Sequence, residues 1–150
     1  MSEADAGWMA IALEEARTGG SQGEVPVGAA VVCDDTLVAR DHNRTRQLAD
    51  PTAHAEILAL REAARKVGDW RLTGCTLFVT LEPCAMCAGA IVLGRIARLV
   101  FATEDPKAGM CGSLENLVQD ERLNHRVSTE SGVLADDSAA LLRDFFKKRR

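Results

Sequence analysis

Cys75-Thr-Leu-Phe-Val-Thr-Leu-Glu-Pro-Cys-Ala-Met-Cys87 decides the reading of this chain. Its first half, Cys75 to Thr80, is rich in β-branched and aromatic residues and bounded by Gly74, which predicts a central strand. Its second half predicts a helix through about Leu93, because proline is favoured at the first helical position and the residues that follow are small. Cys84 and Cys87 stand three apart, so on a helix their sulfurs leave one face and can hold one metal ion. Alone, the pair also fits a redox couple or half of a structural zinc site completed by His54 and one of Cys33, Cys75, Cys111 or His125.

Upstream, Asp50-Pro-Thr-Ala-His-Ala-Glu56 repeats the pattern of an acidic residue before a proline, which predicts a second helix from about Pro51 to Val67. Ala53, Ile57, Leu60, Ala64 and Val67 are its expected core stripe. His54 supplies a third candidate ligand. Three protein ligands leave the fourth tetrahedral position of zinc to water, and Glu56 is then the unattached acid beside that water, suited to carry its proton. Both ligand sets fall in first turns, where free backbone amides and the helix dipole favour thiolates.

Further out, residues 5 to 18 read as an amphipathic helix and residues 27 to 33 and 36 to 40 as a hairpin turning at Asp34-Asp35. Arg98 to Thr103 reads as a strand, 104 to 113 as a glycine-containing loop, 114 to 123 as containing a short helix, 126 to 129 as a last strand and 134 to 147 as a closing helix. Strands interleaved with helices predict an α/β fold with helices on both faces of a sheet. There are 150 residues, 47% of them hydrophobic, and no internal repeat or linker, so one domain spanning 1–150 is expected.

Five cysteines are an odd number, and the N-terminal segment is acidic where a secretory leader is basic and apolar. A disulfide framework is therefore not expected, Cys33 and Cys75 are read as small buried residues within strands, and the location expected is cytoplasmic. Cys111, in its loop, is left open. No stretch approaches a membrane span. A net charge of −4 argues against indiscriminate nucleic-acid binding. Locally, Arg40, Arg44, Arg46 and the tail Lys147-Lys-Arg-Arg150 are basic, either as solvated cations at a helix end or as a phosphate footprint.

The spacing His-x-Glu then Pro-Cys-x-x-Cys is that of zinc nucleobase deaminases. With Glu24-Val-Pro-Val-Gly-Ala29, Asn43-Arg44, Met86-Cys-Ala-Gly-Ala90, Gly112-Ser-Leu114, Asn124-His-Arg-Val127 and Phe145-Phe146, the chain resembles the bacterial tRNA-specific adenosine deaminases over most of its length. The resemblance implies a three-layer α/β/α cytidine-deaminase-like fold with a mixed sheet of about five strands, and a homodimer. It also implies hydrolytic conversion of adenosine to inosine at the wobble position of a tRNA anticodon. Zn2+ would be held by His54, Cys84 and Cys87, with Glu56 as the proton carrier. Asn43 aligns with a base-reading asparagine; as a residue it also fits a turn with a side-chain cap. Asp105 and Lys107 match a loop near the nucleotides flanking the target, and Phe145 with the basic tail matches a helix near the anticodon loop. Leu141 with Phe145 and Leu142 with Phe146 are i,i+4 pairs, so one phenylalanine is expected in the core. Thr45 to Ala49 and Met110-Cys111 depart from the family pattern. Two rival readings remain: a deaminase of a free base such as guanine or cytosine, and a zinc-stabilised binding module without turnover.

Overall fold

The computed structural model describes residues 2–149. Five strands, β1 Gly28–Cys33, β2 Thr36–His42, β3 Cys75–Leu81, β4 Arg98–Thr103 and β5 Ser128–Ser131, alternate with helices α1 Glu3–Ser21, α2 Ala55–Val67, α3 Ala85–Leu93 and α4 Ala135–Lys148. The sheet order is β2-β1-β3-β4-β5. β1 runs antiparallel to β2 and β3, whereas β3, β4 and β5 are mutually parallel, so the sheet is mixed as expected.

Side-chain alternation explains why both faces are covered. Ala29 and Val31, Leu77 and Val79, and Leu99 and Phe101 enter one core, together with Ala59 and Ala63 of α2 and Ile91 of α3. Their sequence neighbours Ala30, Val32, Phe78, Val100 and Ala102 enter another, with Met9 and Ala12 of α1. α1 presses so closely on β1 that a Cβ at Gly28 would run into the Ala12 carbonyl and the Ala16 amide. The freed Gly28 amide donates to Thr80 Oγ1 at 3.1 Å. Asp34 and Asp35, at φ 52° and 57°, make the predicted tight turn between β1 and β2.

Four expectations are corrected. α2 begins at Ala55 rather than Pro51, because Asp50 Oδ1 accepts the amide and hydroxyl of Thr52, at 2.8 and 2.7 Å, and closes a turn instead of a helix. The buried face of α2 is then Ala55, Glu56, Ala59, Leu60 and Ala63, leaving Val67 exposed. Cys33 and Cys75 are bonded to each other, not separate thiols. They occupy directly opposed positions of β1 and β3, with Cα atoms 4.4 Å apart, a register that counting cysteines cannot reveal. The last strand lies two residues beyond its expected start, while the short helix expected within 114–123 is present as a 3-10 helix at Leu117–Gln119.

Arg98 ties three elements together. Its guanidinium donates to both oxygens of Asp5 in α1, at 2.9 and 2.6 Å, and to Glu130 in β5 at 2.6 Å. The Arg98 hydrogen bonds hold the Asp5 carboxyl down at about 2. Because this folded value lies below the unfolded one, the stabilisation is present above about pH 4 and is lost as pH falls toward 2. With Arg98 one-third exposed, solvent screens the pair. Asp5→Asn should therefore cost on the order of 1 kcal/mol at pH 7. Urea unfolding should show that gap closing on acidification; a gap independent of pH would contradict the assignment.

Candidate active site

β3 ends at Leu81, and the chain turns through Glu82 and Pro83 into α3 with Cys84 as its N-cap residue. On the neighbouring element, His54 is the N-cap residue of α2. Neither side chain bonds its own helix. Both are extended at the backbone and turn toward each other, so His54 Nδ1 lies 3.6 Å from Cys84 Sγ and 3.4 Å from Cys87 Sγ. The three donor atoms all lie within 4.8 Å of one another. The expected location at two facing helix ends holds, although His54 and Cys84 precede the first turns instead of lying in them. Cys87 is fully buried, and Glu56, the second residue of α2, is 4% exposed.

Asn43 provides the cap that His54 does not. Its Oδ1 accepts the Ala55 amide at 2.8 Å and its Nδ2 donates to the Val25 carbonyl at 3.3 Å. These bonds lock the end of β2 to the start of α2, beside the trio.

Electrostatics separates Glu56, Cys84 and Cys87. Burial pushes the Glu56 carboxyl up to about 7. The Cys87 thiol and the His54 ring hold Cys84 well below an ordinary thiol. Contact with Cys84, then burial, pushes Cys87 up. One nitrogen and two sulfurs at this separation form a donor set that suits zinc. None of the proposed fourth ligands joins them: Cys33 and Cys75 are bonded together, His125 Nε2 contacts the Ile96 carbonyl at 2.7 Å, and Cys111 Sγ lies 4.0 Å from the Pro83 carbonyl. Among the described residues this donor group holds only His54, Cys84 and Cys87. That leaves room for a non-protein ligand.

Two buried carboxylates, neither of them expected as a loop anchor from the sequence, support the site. Glu82, expected to cap α3, instead accepts the amides of Asp105, Cys111 and Ser113, each at 3.0 Å, and the Ser113 hydroxyl. Burial alone would raise its carboxyl, but these donors together hold it below the usual range. Gly109 is required there, since a Cβ would strike the Glu82 carboxylate. Glu24 acts likewise on the 45–49 loop, accepting the Arg46 and Gln47 amides at 3.1 and 2.8 Å and the Thr45 hydroxyl at 3.3 Å.

Asp105 Oδ1 accepts the amides of Lys107 and Ala108, at 3.1 and 3.2 Å, and so shapes its own loop. Asp105 and Lys107 line a groove with Phe146, Leu142 and Val25. Phe145 faces a different hollow, with Arg17, Pro26 and Lys148, so the structure does not bring it to Asp105 and Lys107. Neither phenylalanine is fully buried: Phe145 is half-buried and Phe146 is 49% exposed. Lys147, Lys148 and Arg149 are exposed, while Arg150 lies outside the described residues.

Comparison with known proteins places this geometry. A family profile described as MafB19-like deaminase matches residues 3–150. A tRNA-specific adenosine deaminase of Bacillus subtilis is 46% identical over 143 residues, covering 95% of this chain and 89% of that protein. A solved structure from studies of A-to-I editing by tRNA:A34 deaminases at the wobble position of transfer RNA superposes with a TM-score of 0.88 at 45% identity, covering 91% of this chain and 99% of that one. A guanine deaminase from Nitrosomonas europaea superposes with a TM-score of 0.82 at 29% identity, over 93% and 83% of the two chains. The chain belongs to the MafB19-like deaminases and, within them, to the tRNA-specific adenosine deaminases.

Proposed function

We propose that this chain acts as a single catalytic domain that hydrolyses adenosine to inosine at the wobble position of a tRNA anticodon, releasing ammonia. The observation that carries the reading is a buried carboxylate, Glu56, set beside but outside a three-donor metal group, in a chain 46% identical to a tRNA-specific adenosine deaminase. His54, Cys84 and Cys87 would hold Zn2+, which when bound brings the pKa of a coordinated water toward neutrality and makes it a nucleophile at cellular pH.

The chain's own residues do the rest. Glu56, with a carboxyl raised to about 7, can both accept and release a proton near neutral pH. It takes the proton of the attacking water, passes it to ring N1 of the flipped-out adenine, and serves the departing ammonia from C6 in the same way. Burial keeps bulk water from short-circuiting these transfers. Asn43, fixed to both Val25 and Ala55, the residue that follows His54, holds its amide at a constant position and serves as the base-reading group. Asp105, Lys107, Phe145 and the basic end of α4 contact the anticodon loop around the target. No helix among the described residues is long and apolar enough to cross a membrane. A homodimer working in the cytoplasm, where tRNA is found, completes the proposal.

The likeness to a guanine deaminase favours one second reading, turnover of a free base. Incubation with an anticodon stem-loop carrying a wobble adenosine separates the two. Inosine should form in the stem-loop, with free adenine, guanine and cytosine untouched; deamination of a free base beside an unmodified stem-loop would reverse the assignment.

A further inference from the structure

Arg46 and Arg149 meet at Gly23 from distant parts of the chain. A Cβ on Gly23 would lie 3.6 Å from Arg149 Nη2 and 3.8 Å from Arg46 Nη1. Arg46 Nη1 donates to the Gly23 carbonyl at 3.4 Å, which fixes its reach. The Arg149 guanidinium lies over the Phe145 ring, 4.4 Å from its centroid, a cation–π contact that favours this placement. With Gln22, Glu24, Arg44 and Gln47 they line an open cleft of about 720 Å³.

The other charges in this cleft are already engaged. Arg44 Nε pairs with Asp41 at 2.8 Å. Glu24 accepts two loop amides and the Thr45 hydroxyl, so its oxygens are turned to the backbone. Among the described residues, neither Arg46 nor Arg149 has a carboxylate within ion-pair distance. The Glu24 carboxylate acts on Arg46 only from beyond ion-pair distance, and planar forks of this kind suit phosphate oxygens. The cleft is joined to the site through Asn43: Arg44 follows it in sequence, and Glu24 precedes Val25, whose carbonyl accepts from Asn43 Nδ2 while Asn43 Oδ1 accepts the Ala55 amide.

We propose that Arg46 and Arg149 clamp a backbone phosphate of the RNA strand whose target base enters the site. The proposal rests on the tRNA reading above. It gives the 45–49 loop a use: Glu24 holds the loop's amides, and this presents Arg46 opposite the last turn of α4.

The test uses the full chain and its Arg46→Ala, Arg149→Ala and double variants, with dissociation constants for the wobble-adenosine stem-loop measured across about 50 to 200 mM salt. Each single variant should weaken binding roughly 3- to 10-fold and lower the slope of log affinity against log salt by about 0.7 to 0.9, the double variant by about twice that. The loss should fall on KM. Arg46→Lys should restore the slope, since a point charge remains, but not the full affinity. If the parent deaminates the stem-loop while the double variant keeps its slope and affinity, the clamp is wrong and the tRNA reading stands. If the parent neither binds nor deaminates the stem-loop, both are overturned.

Discussion

Glu56→Gln should lower deamination of the wobble-adenosine stem-loop by about a thousandfold while leaving metal content and fold intact. Glutamine matches glutamate in shape but cannot take up and release a proton, and positioned general acid–base groups are worth about 10² to 10⁴ in rate. The carboxyl it replaces is 4% exposed and raised to about 7 by burial, so its charged form is disfavoured in the folded chain. Removing that charge relieves desolvation, and the melting temperature should not fall. Single-turnover kinetics, metal analysis and thermal unfolding on the same preparation give the three readings. Turnover within tenfold of the parent would refute the proton-carrier role.

The strands were legible because their composition has one interpretation. In Leu77-Phe78-Val79 successive side chains enter opposite cores, so a continuous apolar run is what a strand covered on both faces must have. β4 falls where Arg98 to Thr103 predicts it for the same reason. The start of α2 was not legible. Proline at position 51 fits the first turn of a helix and the second position of a tight turn equally well. Bonds from Thr52 to Asp50 and from Ala55 to Asn43 decide between them, and the second joins residues that only the folded sheet brings together. The Cys33–Cys75 bond has the same origin, since the β1·β3 register creates it and no local pattern announces it.

The meeting of His54, Cys84 and Cys87 was legible at the level of residues because few side chains can bind zinc and their spacing is restricted by the helix. Its support was not. Glu82 reaches donors 23 to 31 residues away and Glu24 reaches donors 21 to 23 away, along paths with no periodicity. Both carboxylates fold onto backbone amides, which every residue type possesses, so nothing in the partner sequence marks the contact. Gly109 is the nearest thing to a trace, because a close approach to the Glu82 carboxylate excludes any Cβ. The consequence is functional: one glutamate sets the loop bearing Asp105 and Lys107, the other the loop bearing Arg46.

Cys87→Ala should abolish both metal binding and turnover, which distinguishes it from Glu56→Gln. Cys87 is fully buried in α3 and its sulfur lies 3.4 Å from His54 Nδ1, so truncation leaves one sulfur and one nitrogen, too few to hold zinc in competition with water. Zinc per chain should drop from about one equivalent to near zero. The parent should lose thermal stability in a strong chelator, because a ligand that binds only the folded state stabilises it by mass action. The variant, having nothing to lose, should not respond. A zinc-stabilised binding module would repeat the metal and stability results of both variants, yet neither substitution could change a turnover it does not have. The pair therefore tests the proposed division of labour: Glu56→Gln must keep zinc and lose chemistry, and Cys87→Ala must lose both. Stoichiometric zinc and parental turnover in Cys87→Ala would mean that the metal is held elsewhere.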